Sequence, residues 1–446
     1  METRTLVWTT CTLVSLALML SLCAPAAAMG AGEGRVNISP PLDRFPTISL
    51  GGFGDRQGKP AEMVRDDIFA RALVLCDGDT NTKVALVSTD LLVITRGMRE
   101  AVLKEVADIG FDADNVLLAA THSHSAPECL HPGSDIWPLA FGKFHPEFFQ
   151  WMTTRIAESI RIANMHVQSA QLGFASARLE GFNRNRRKTG GDLVDPTMTV
   201  MKVANMGIGP AARTLAIVVH FTAHPTMMGS DSFAISGEWP GAMMRELEAR
   251  LQRRGVAMFF NGAQGDQTTA GKFGSGWERV DAYGKALADK AWELVEQIEM
   301  SADADVVLST LMWNLPEQRM SPAFIETTGQ EYEMSPEMAK SLLSALFPPR
   351  VRLQAVRVGD GVFMAVAGEA IAELGLAMKE NATVLGAGYP MVIGLANNYI
   401  GYILSPEQYR LGGYESGTSF YGPQLGAILV SQMNQAVRRL FKPGEG

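Results

Sequence analysis

From about Val36 onward, short apolar runs typical of β-strands alternate with amphipathic segments typical of α-helices. Predicted strands cover residues 85–88, 116–120, 214–219, 257–260, 362–366 and 391–395. Predicted helices cover residues 97–107, 145–164, 241–253, 282–299, 370–379 and 426–440. A chain with this alternation has to cover its sheets with helices, which predicts a mixed α/β fold. Because no linker or internal repeat interrupts the pattern, we expect residues 35–446 to form a single domain.

The first 28 residues have a different character. Arg4 precedes an apolar stretch over residues 13–22, and the small residues that follow end at Ala28. This order is typical of a secretory signal peptide that is cut after Ala28, and a retained membrane anchor is the alternative. We therefore expect an exported protein, either periplasmic or secreted.

Charge and cysteine usage exclude some classes of function. The net charge of −8 argues against a nucleic-acid partner. Cys11 and Cys23 belong to the signal segment, so the exported chain keeps Cys76 and Cys129, which can form one disulfide at most. A chain that is 47% hydrophobic can bury a core that does not need this bond, and neither cysteine has a metal-binding spacing. The sequence gives no indication of the oligomeric state.

Polar side chains follow directly after five of the predicted strands. The polar segments begin at Thr121, His220, Asn261, Ala367 and Asn397. In open α/β sheets, ligand crevices form at the carboxyl ends of the strands. We therefore predict the functional site at that edge.

Histidines dominate two of these segments. His122 and His124 are separated by one residue, so in an extended segment both imidazoles would face one site. His224 precedes Pro225, which favours an extended conformation just after a strand. The chain has only seven histidines, so two that share an HxH spacing argue against ordinary loop residues. We expect His220, in contrast, to lie within the strand as a buried structural histidine.

Glu369 follows Gly368 at the predicted start of a helix. A carboxylate in a first helical turn can simply complement the helix dipole. Alternatively, Glu369 joins two histidines in a set that leaves one position open for a metal-activated water, an arrangement that catalytic zinc uses. The spacing alone leaves both interpretations open.

Five ordered motifs resemble those of the neutral/alkaline non-lysosomal ceramidase family, and the likeness covers nearly the whole exported chain. They are Thr121-His122-Ser123-His124-Ser125, Asn183-Arg184, Ala223-His224-Pro225-Thr226, Gly368-Glu369 and the tyrosine-rich run from Tyr399 to Pro423. The first is similar to the family's THTHSGP motif, the second to its NRS segment and the third to its HPTS motif. The tyrosine-rich run is the most specific of the five.

This resemblance implies the ceramidase catalytic-domain fold and a zinc-dependent hydrolase of linear amides, with one Zn²⁺ per chain. It assigns the ion to four side chains: His122, His224, Glu369 and Tyr402. It places three more around the scissile amide: His124, Arg184 and Tyr414. The implied substrate is a lipid-like N-acyl amide, ceramide, which is cleaved to a fatty acid and a sphingoid base. We therefore also expect transient contact with a membrane surface.

Two features depart from the family pattern. Where the family has GDxSPN, this chain has Gly265-Asp266-Gln267-Thr268-Thr269-Ala270, so Thr268 replaces the active-site serine and is expected to position water or substrate. Its hydroxyl is retained, but its methyl group restricts χ1. Family members usually carry a further β-sandwich domain, and because the chain ends at Gly446 we expect substrate handling to differ. Two alternatives follow: a zinc amidase for another N-acyl lipid or N-acyl amino compound, and a non-catalytic exported binding protein.

Two further segments allow two interpretations each. Residues 317–349 are rich in Pro, Met, Ser and Glu, and they either cover the substrate or form a plain connection. The apolar run Ile136-Trp137-Pro138-Leu139 either lines an acyl-chain pocket or packs in the core.

Overall fold

The computed structural model describes residues 29–80, 82–131, 142–187, 191–208 and 211–441. The predicted signal peptide and the apolar run at 136–139 lie outside these residues. Within them, no helix combines the length and the apolar character needed to cross a membrane. Cys76 and Cys129 are both free thiols.

The mixed α/β fold is confirmed, and every predicted strand and helix overlaps an observed one. The strands are β1 Gly30–Asn37, β2 Met63–Val64, β3 Phe69–Cys76, β4 Lys83–Thr89, β5 Val116–Ala120, β6 Gln168–Arg178, β7 Asn183–Asn185, β8 Thr197–Asn205, β9 Thr214–Phe221, β10 Ala234–Ile235, β11 Val256–Asn261, β12 Gln267–Thr269, β13 Val306–Asn314, β14 Arg350–Val358, β15 Gly361–Ala365, β16 Glu369–Ala370, β17 Tyr389–Ile393 and β18 Tyr402–Ile403. The α-helices are α1 Arg96–Val106, α2 Pro146–Met165, α3 Glu238–Arg250, α4 Gly276–Val295, α5 Pro336–Leu346, α6 Ala372–Val384, α7 Pro406–Arg410, α8 Tyr414–Gly417 and α9 Leu425–Phe441.

The largest sheet has eight strands in the order β11-β9-β8-β6-β1-β3-β4-β5. Its two halves join only where β1 and β6 begin, through Gly30 with Ser169 and Ala31 with Gln168. Because the two strands share only their first residues, the halves fold against each other instead of forming one flat sheet. A second sheet of four strands has the order β13-β14-β15-β17.

Each of these three sheet layers carries a pair of helices that buries one apolar face. Helices α1 and α2 cover the half with β3 and β4, α3 and α4 cover the half with β8 and β9, and α6 and α9 cover the second sheet. In α2, the apolar side chains recur every four residues: Phe148, Met152, Ile156 and Ile160, all fully buried. The other faces of the three layers meet in one central core, to which Leu86, Met258 and Phe363 contribute. This convergence brings strand ends from different sheets to one place.

One element differs from the sequence prediction. Glu369 lies in the short strand β16 and not in the first turn of a helix, because α6 begins only at Ala372. Strand β16 pairs in parallel with β18, which sets Glu369 directly opposite Tyr402. The backbone N–H of Glu369 donates to the carbonyl of Gly401 (3.1 Å), so the residue is fixed by sheet hydrogen bonds. The helix-dipole explanation of Glu369 is therefore wrong.

The segment 317–349 is a folded cover and not a plain connection. It contains a π-helical turn, Ile325–Gly329, and helix α5, whose N-cap Ser335 accepts a hydrogen bond from the N–H of Met338 (3.2 Å). Its two ends are held to the body of the protein. Arg319 N–H donates to Phe420 O (2.7 Å) at one end, and Tyr421 Oη donates to Pro348 O (2.7 Å) at the other.

Candidate active site and metal centre

Four of the predicted site residues converge: His122 and His224 follow the ends of β5 and β9, and Glu369 and Tyr402 lie in the paired strands β16 and β18. The Oε2 atom of Glu369 lies 3.0 Å from His224 Nε2 and 3.3 Å from His122 Nε2. The Tyr402 hydroxyl lies 3.4 Å from His224 Nε2. All four side chains are buried, at 0–4% exposure. A tetrahedral zinc ion with bonds of about 2.0–2.2 Å keeps its ligand atoms roughly 3.3–3.6 Å apart. The separations of 3.0, 3.3 and 3.4 Å lie in or just below this range, so the donor set is of a size to hold one metal ion.

The rings of His122 and His224 are each oriented by a backbone carbonyl group on the side away from the centre. His122 Nδ1 lies 2.8 Å from Leu92 O, and His224 Nδ1 lies 3.0 Å from Gln267 O. A carbonyl oxygen accepts only from a protonated Nδ1, so each Nε2 carries its lone pair towards the centre. Metal-ligating histidines characteristically have such a partner on the other ring nitrogen.

The two oxygen donors are also oriented by neighbours. Tyr399 Oη donates to Glu369 Oε1 (2.8 Å), which leaves Oε2 facing the histidines. Arg186 donates to the Tyr402 hydroxyl (2.8 Å). Tyr399 stood among the polar residues that follow a predicted strand, but sequence reasoning gave it no role.

The electrostatics of the buried set favour a cation. Burial by itself raises the pKa of Glu369, but the adjacent His122 and His224 hold it well below its usual range, so this carboxyl group is ionised. Burial raises the pKa of the Tyr402 phenol well above its usual range, and Arg186 opposes this shift. A buried, ionised carboxylate beside a phenol and two imidazoles is a set of donors whose negative charge a divalent metal ion would balance.

His124 is the third histidine of the cluster, and its surroundings differ. Its Nε2 lies 3.3 Å from His122 Nε2, and the three imidazoles could by themselves hold a metal. However, its Nδ1 finds no hydrogen-bond partner in the described part of the chain, so it lacks the carbonyl contact that orients His122 and His224. Burial, followed by His122 and His224, lowers the pKa of His124 well below its usual value. An imidazole placed beside the centre with one nitrogen free of hydrogen bonds to the described residues could either transfer protons or join the metal ligands.

The loop before β2 fixes His124 in place. Gly52 has φ +88°, and a Cβ atom there would lie only 2.2 Å from His124 Nδ1. The Phe53 ring centroid is 4.9 Å from that of His124, and Arg56 donates to His124 O (2.5 Å). Only glycine allows the backbone to approach this imidazole so closely.

The HxH segment reaches the site by a turn rather than as an extended strand. Strand β5 ends at Ala120, and His122 has φ +74°, in the left-handed region. The N–H groups of His122 and Ser123 both donate to Leu91 O (3.0 and 3.2 Å). The prediction that both imidazoles face one site matches the observed geometry, but its reason, strand alternation, is wrong. Such a conformation in a non-glycine residue is uncommon and concentrates at functional sites.

Arg184 is not brought to the site, and Arg186 lies there in its place. In β7, the amide groups of Asn183 and Asn185 donate to internal acceptors, so alternation turns Arg184 outward to solvent. Arg186 follows the end of β7 and contacts Tyr402, Gly265 O (3.0 Å) and Glu415 Oε1 (3.0 Å).

The remaining predicted residues lie at different distances from the centre. Tyr414 lines the cavity, with its ring centroid 5.9 Å from that of Tyr402. Thr268 is half-buried in β12, where it pairs with Arg184, and its backbone bridges to His224. Thr268 is absent from the described residues that line the cavity. His220 is fully buried within β9, where its Nε2 lies 2.8 Å from Val392 O, as expected of a structural histidine.

A cavity of about 650 Å³, including its open mouth, lies above the centre. Its wall is mainly aromatic: Tyr332, Phe347, Tyr399, Tyr402, Tyr414 and Phe420. Tyr332 and Phe347 belong to the segment 317–349, so this segment does cover the site. The sequence pointed to the cover but not to the side chains that it would contribute.

Comparisons with known proteins place these observations in a family. Residues 32–281 match the family model described as neutral/alkaline non-lysosomal ceramidase, N-terminal. The chain is 23% identical to the neutral ceramidase of Pseudomonas aeruginosa, over 80% of this chain and 64% of that protein. It is 22% identical to the neutral ceramidase of Mycobacterium tuberculosis, over 87% of this chain and 74% of that protein. The chain thus spans somewhat less than two thirds of the first of these relatives.

The fold is also similar to solved structures. A crystal structure of neutral ceramidase from Pseudomonas aeruginosa superposes with a TM-score of 0.77 at 20% sequence identity, covering 93% of this chain and 75% of that one. A structure described as ceramidase complexed with C2 gives a TM-score of 0.76 at 19% identity.

Proposed function

Because the chain belongs to the neutral/alkaline non-lysosomal ceramidase family, we propose that it hydrolyses the amide bond of N-acylsphingosine (ceramide), releasing a fatty acid and a sphingoid base. One observation supports this proposal above all. His122, His224, Glu369 and Tyr402 converge beside an aromatic cavity, with separations of 3.0–3.4 Å between their ligand atoms, which supports a single metal ion held by all four.

The residues present suit a zinc ion and the chemistry of amide cleavage. When bound, the ion would supply a Lewis acid for the scissile carbonyl and would make water acidic enough to act as a nucleophile near neutral pH. The protein holds the four donors through partners behind them, chiefly Leu92 O, Gln267 O, Tyr399 and Arg186. Such preorganisation means that the donors need not be rearranged during the reaction.

His124 is the proton carrier in this proposal. It borders the cavity next to His122, and its Nδ1 is not used by the described structure. It can take a proton from the attacking water and deliver one to the leaving amine, which has to be protonated to depart.

Tyr414 and Arg186 act at different distances from the amide. Tyr414 lines the cavity and can donate its hydroxyl proton to the oxygen on which negative charge develops. Arg186 lies behind Tyr402, so it is a positioning residue that acts through the phenol. Glu415 holds Arg186 (3.0 Å) and also pairs with Arg187 (2.9 Å).

The aromatic wall suits an alkyl chain, which supports a lipid-like N-acyl amide as the substrate. Access to such a substrate fits export to the periplasm or the cell exterior and transient contact with a membrane surface, and both remain part of the proposal. Thr268, in the position of the family's serine, favours a second candidate, a zinc amidase for a different N-acyl lipid or N-acyl amino compound.

The decisive experiment measures sphingosine release from ceramide by the purified protein after chelation and after zinc is restored. We expect activity only with zinc, and we expect it to be lost in His122→Ala and Glu369→Gln. Glu380→Gln is the matched control, because Glu380 is an exposed carboxylate on the following helix. Sphingosine release that survives His122→Ala would contradict the zinc mechanism. Hydrolysis of other N-acyl amides but not ceramide would select the second candidate. Binding of ceramide without hydrolysis would indicate a non-catalytic binding protein.

A further inference from the structure

A second cavity lies on the far side of the covering segment. It has about 1600 Å³ of empty space, including its open mouth. Leu315, Met320, Leu343, Pro349 and Tyr421 give it apolar walls, and charged side chains lie among its other lining residues. Nothing in the proposed chemistry uses this space.

Phe347 is the one described residue that lines both cavities. On the catalytic side, its ring centroid lies 6.4 Å from that of Tyr399, whose hydroxyl donates to Glu369. The Phe347 side chain therefore forms a partition between the two cavities, and the Tyr399 ring lies between this partition and the candidate ligand Glu369. An alkyl chain that runs from the scissile amide in this direction meets the Phe347 ring after a short distance.

The backbone of Phe347 is held firmly, but its ring is not enclosed by polar contacts. Its N–H donates to Leu343 O (3.0 Å), and its carbonyl accepts from Gln318 Nε2 (3.0 Å). The ring lies in a buried hydrophobic cluster, where its centroid is 5.0 Å from that of Phe420. A change of side chain at this position therefore alters the partition without removing a hydrogen bond.

We propose that Phe347 sets the length of the alkyl chain that the catalytic cavity accepts, and that the second cavity is the space such a chain enters when the ring is removed. The inference rests on the proposed function and names its specificity-determining residue. The chain is either the acyl chain or the sphingoid chain, since both are alkyl chains attached next to the scissile bond.

The test is a chain-length profile of kcat/KM. One series varies the acyl chain from C2 to C18 on a fixed sphingoid base, and the other varies the base at a fixed short acyl chain. Each buried methylene improves kcat/KM by roughly fourfold, equivalent to about 0.8 kcal/mol, for as long as the chain finds apolar space. For the unaltered protein we expect one of the two profiles to stop rising at the length that reaches Phe347.

In Phe347→Ala, we expect that profile to continue rising, so that the ratio of long-chain to short-chain kcat/KM increases at least tenfold. Adding Leu315→Trp to Phe347→Ala narrows the second cavity at its wall and should reduce the gain. Met338→Ala, an exposed change on α5, is the matched control and should leave the profile unchanged. If Phe347→Ala does not fold, Phe347→Leu provides the same test with a smaller opening.

Unchanged profiles in both series, with short-chain hydrolysis intact, would overturn the inference while the proposed function stands. A gain that is undiminished when Leu315→Trp is added would also overturn it. Failure to hydrolyse any chain length would instead count against the proposed function. The two failures are therefore distinguishable.

Discussion

Replacing Arg186 by Gln should weaken zinc binding, whereas the same change at Arg184, two residues earlier, should not. Arg186 donates to the Tyr402 hydroxyl (2.8 Å), and it is the only described cation in hydrogen-bond contact with that oxygen. Arg184 is exposed, and its one side-chain hydrogen bond in the described structure is a weak contact to Asn185 O (3.5 Å). The two variants therefore separate an effect at the site from a general effect of losing a positive charge.

The magnitude follows from the contacts that are lost. A hydrogen bond from a charged donor contributes about 1.5–3 kcal/mol, which corresponds to roughly a 10- to 150-fold change in an equilibrium constant. Partners behind a metal ligand typically account for about 10–100-fold in metal affinity. Glu415 keeps its second partner, Arg187 (2.9 Å), so Arg186→Gln does not leave an unpaired buried carboxylate. We therefore expect Arg186→Gln to lower zinc affinity by about 10–100-fold without unfolding the protein.

The assay is a competition titration of zinc against a chromophoric chelator, with thermal unfolding recorded in parallel. Arg184→Gln should match the unaltered protein within about twofold. Full zinc affinity in Arg186→Gln, or a larger loss of zinc affinity in Arg184→Gln than in Arg186→Gln, would refute a supporting role of Arg186 behind Tyr402.

Two further predictions concern the surroundings of the centre, and a third concerns Glu238, a fully buried carboxyl group at the start of α3. Tyr399→Phe removes the hydrogen bond to Glu369 Oε1 and should lower zinc affinity by about 10–100-fold in the same titration. Unchanged zinc affinity would contradict a role of Tyr399 in orienting Glu369. Gly52→Ala should reduce kcat by at least about tenfold while the zinc content stays at one per chain. The reason is that the added Cβ atom would displace His124 but none of the four proposed ligands. If the variant loses zinc together with its activity, a proton-transfer role of His124 is contradicted. Burial raises the pKa of the Glu238 carboxyl group to about 7. Between pH 4.5 and 7 the carboxyl group is therefore protonated in the folded state but ionised in the unfolded state. The free energy of unfolding should therefore fall as the pH rises through that window. Glu238→Gln should remove this fall, stabilising the protein at pH 8 by about 3 kcal/mol in urea unfolding, and an unchanged pH slope in the variant would refute the assignment.

Much of the fold was predictable because its elements are strongly patterned. The buried strands and the amphipathic helices bury continuous apolar runs or faces, and such periodicity is visible without structure. What the pattern could not give is the way in which three sheet layers share one core. That arrangement depends on the two-residue junction between β1 and β6, which leaves no mark in the sequence.

Some residues of the candidate site were likewise predictable from the sequence, whereas others depend on contacts between segments that are far apart in the chain. His122 and His224 follow strand ends, and their spacing favoured them as ligands, whereas the spacing left Glu369 open between a helix-dipole role and a ligand role. Tyr402 came from the family resemblance alone, because its closeness to Glu369 is created by the pairing of two short strands far apart in the chain. Arg184 was chosen from a motif, but the geometry depends on β7 ending at Asn185, which places Arg186 at the site instead. Phe347 lies in a segment with no recognisable motif, so only the folded cover reveals it.

The central claim is that two histidines, one glutamate and one tyrosine hold a single zinc ion, with the third histidine outside the coordination shell. X-ray absorption spectroscopy at the zinc edge of the purified, zinc-loaded protein measures this directly. We expect one zinc per chain with two imidazole nitrogens and additional oxygen ligands, and a spectrum that does not change in His124→Ala. A three-imidazole shell that loses one nitrogen in His124→Ala, or a protein that binds no stoichiometric zinc, would contradict the claim.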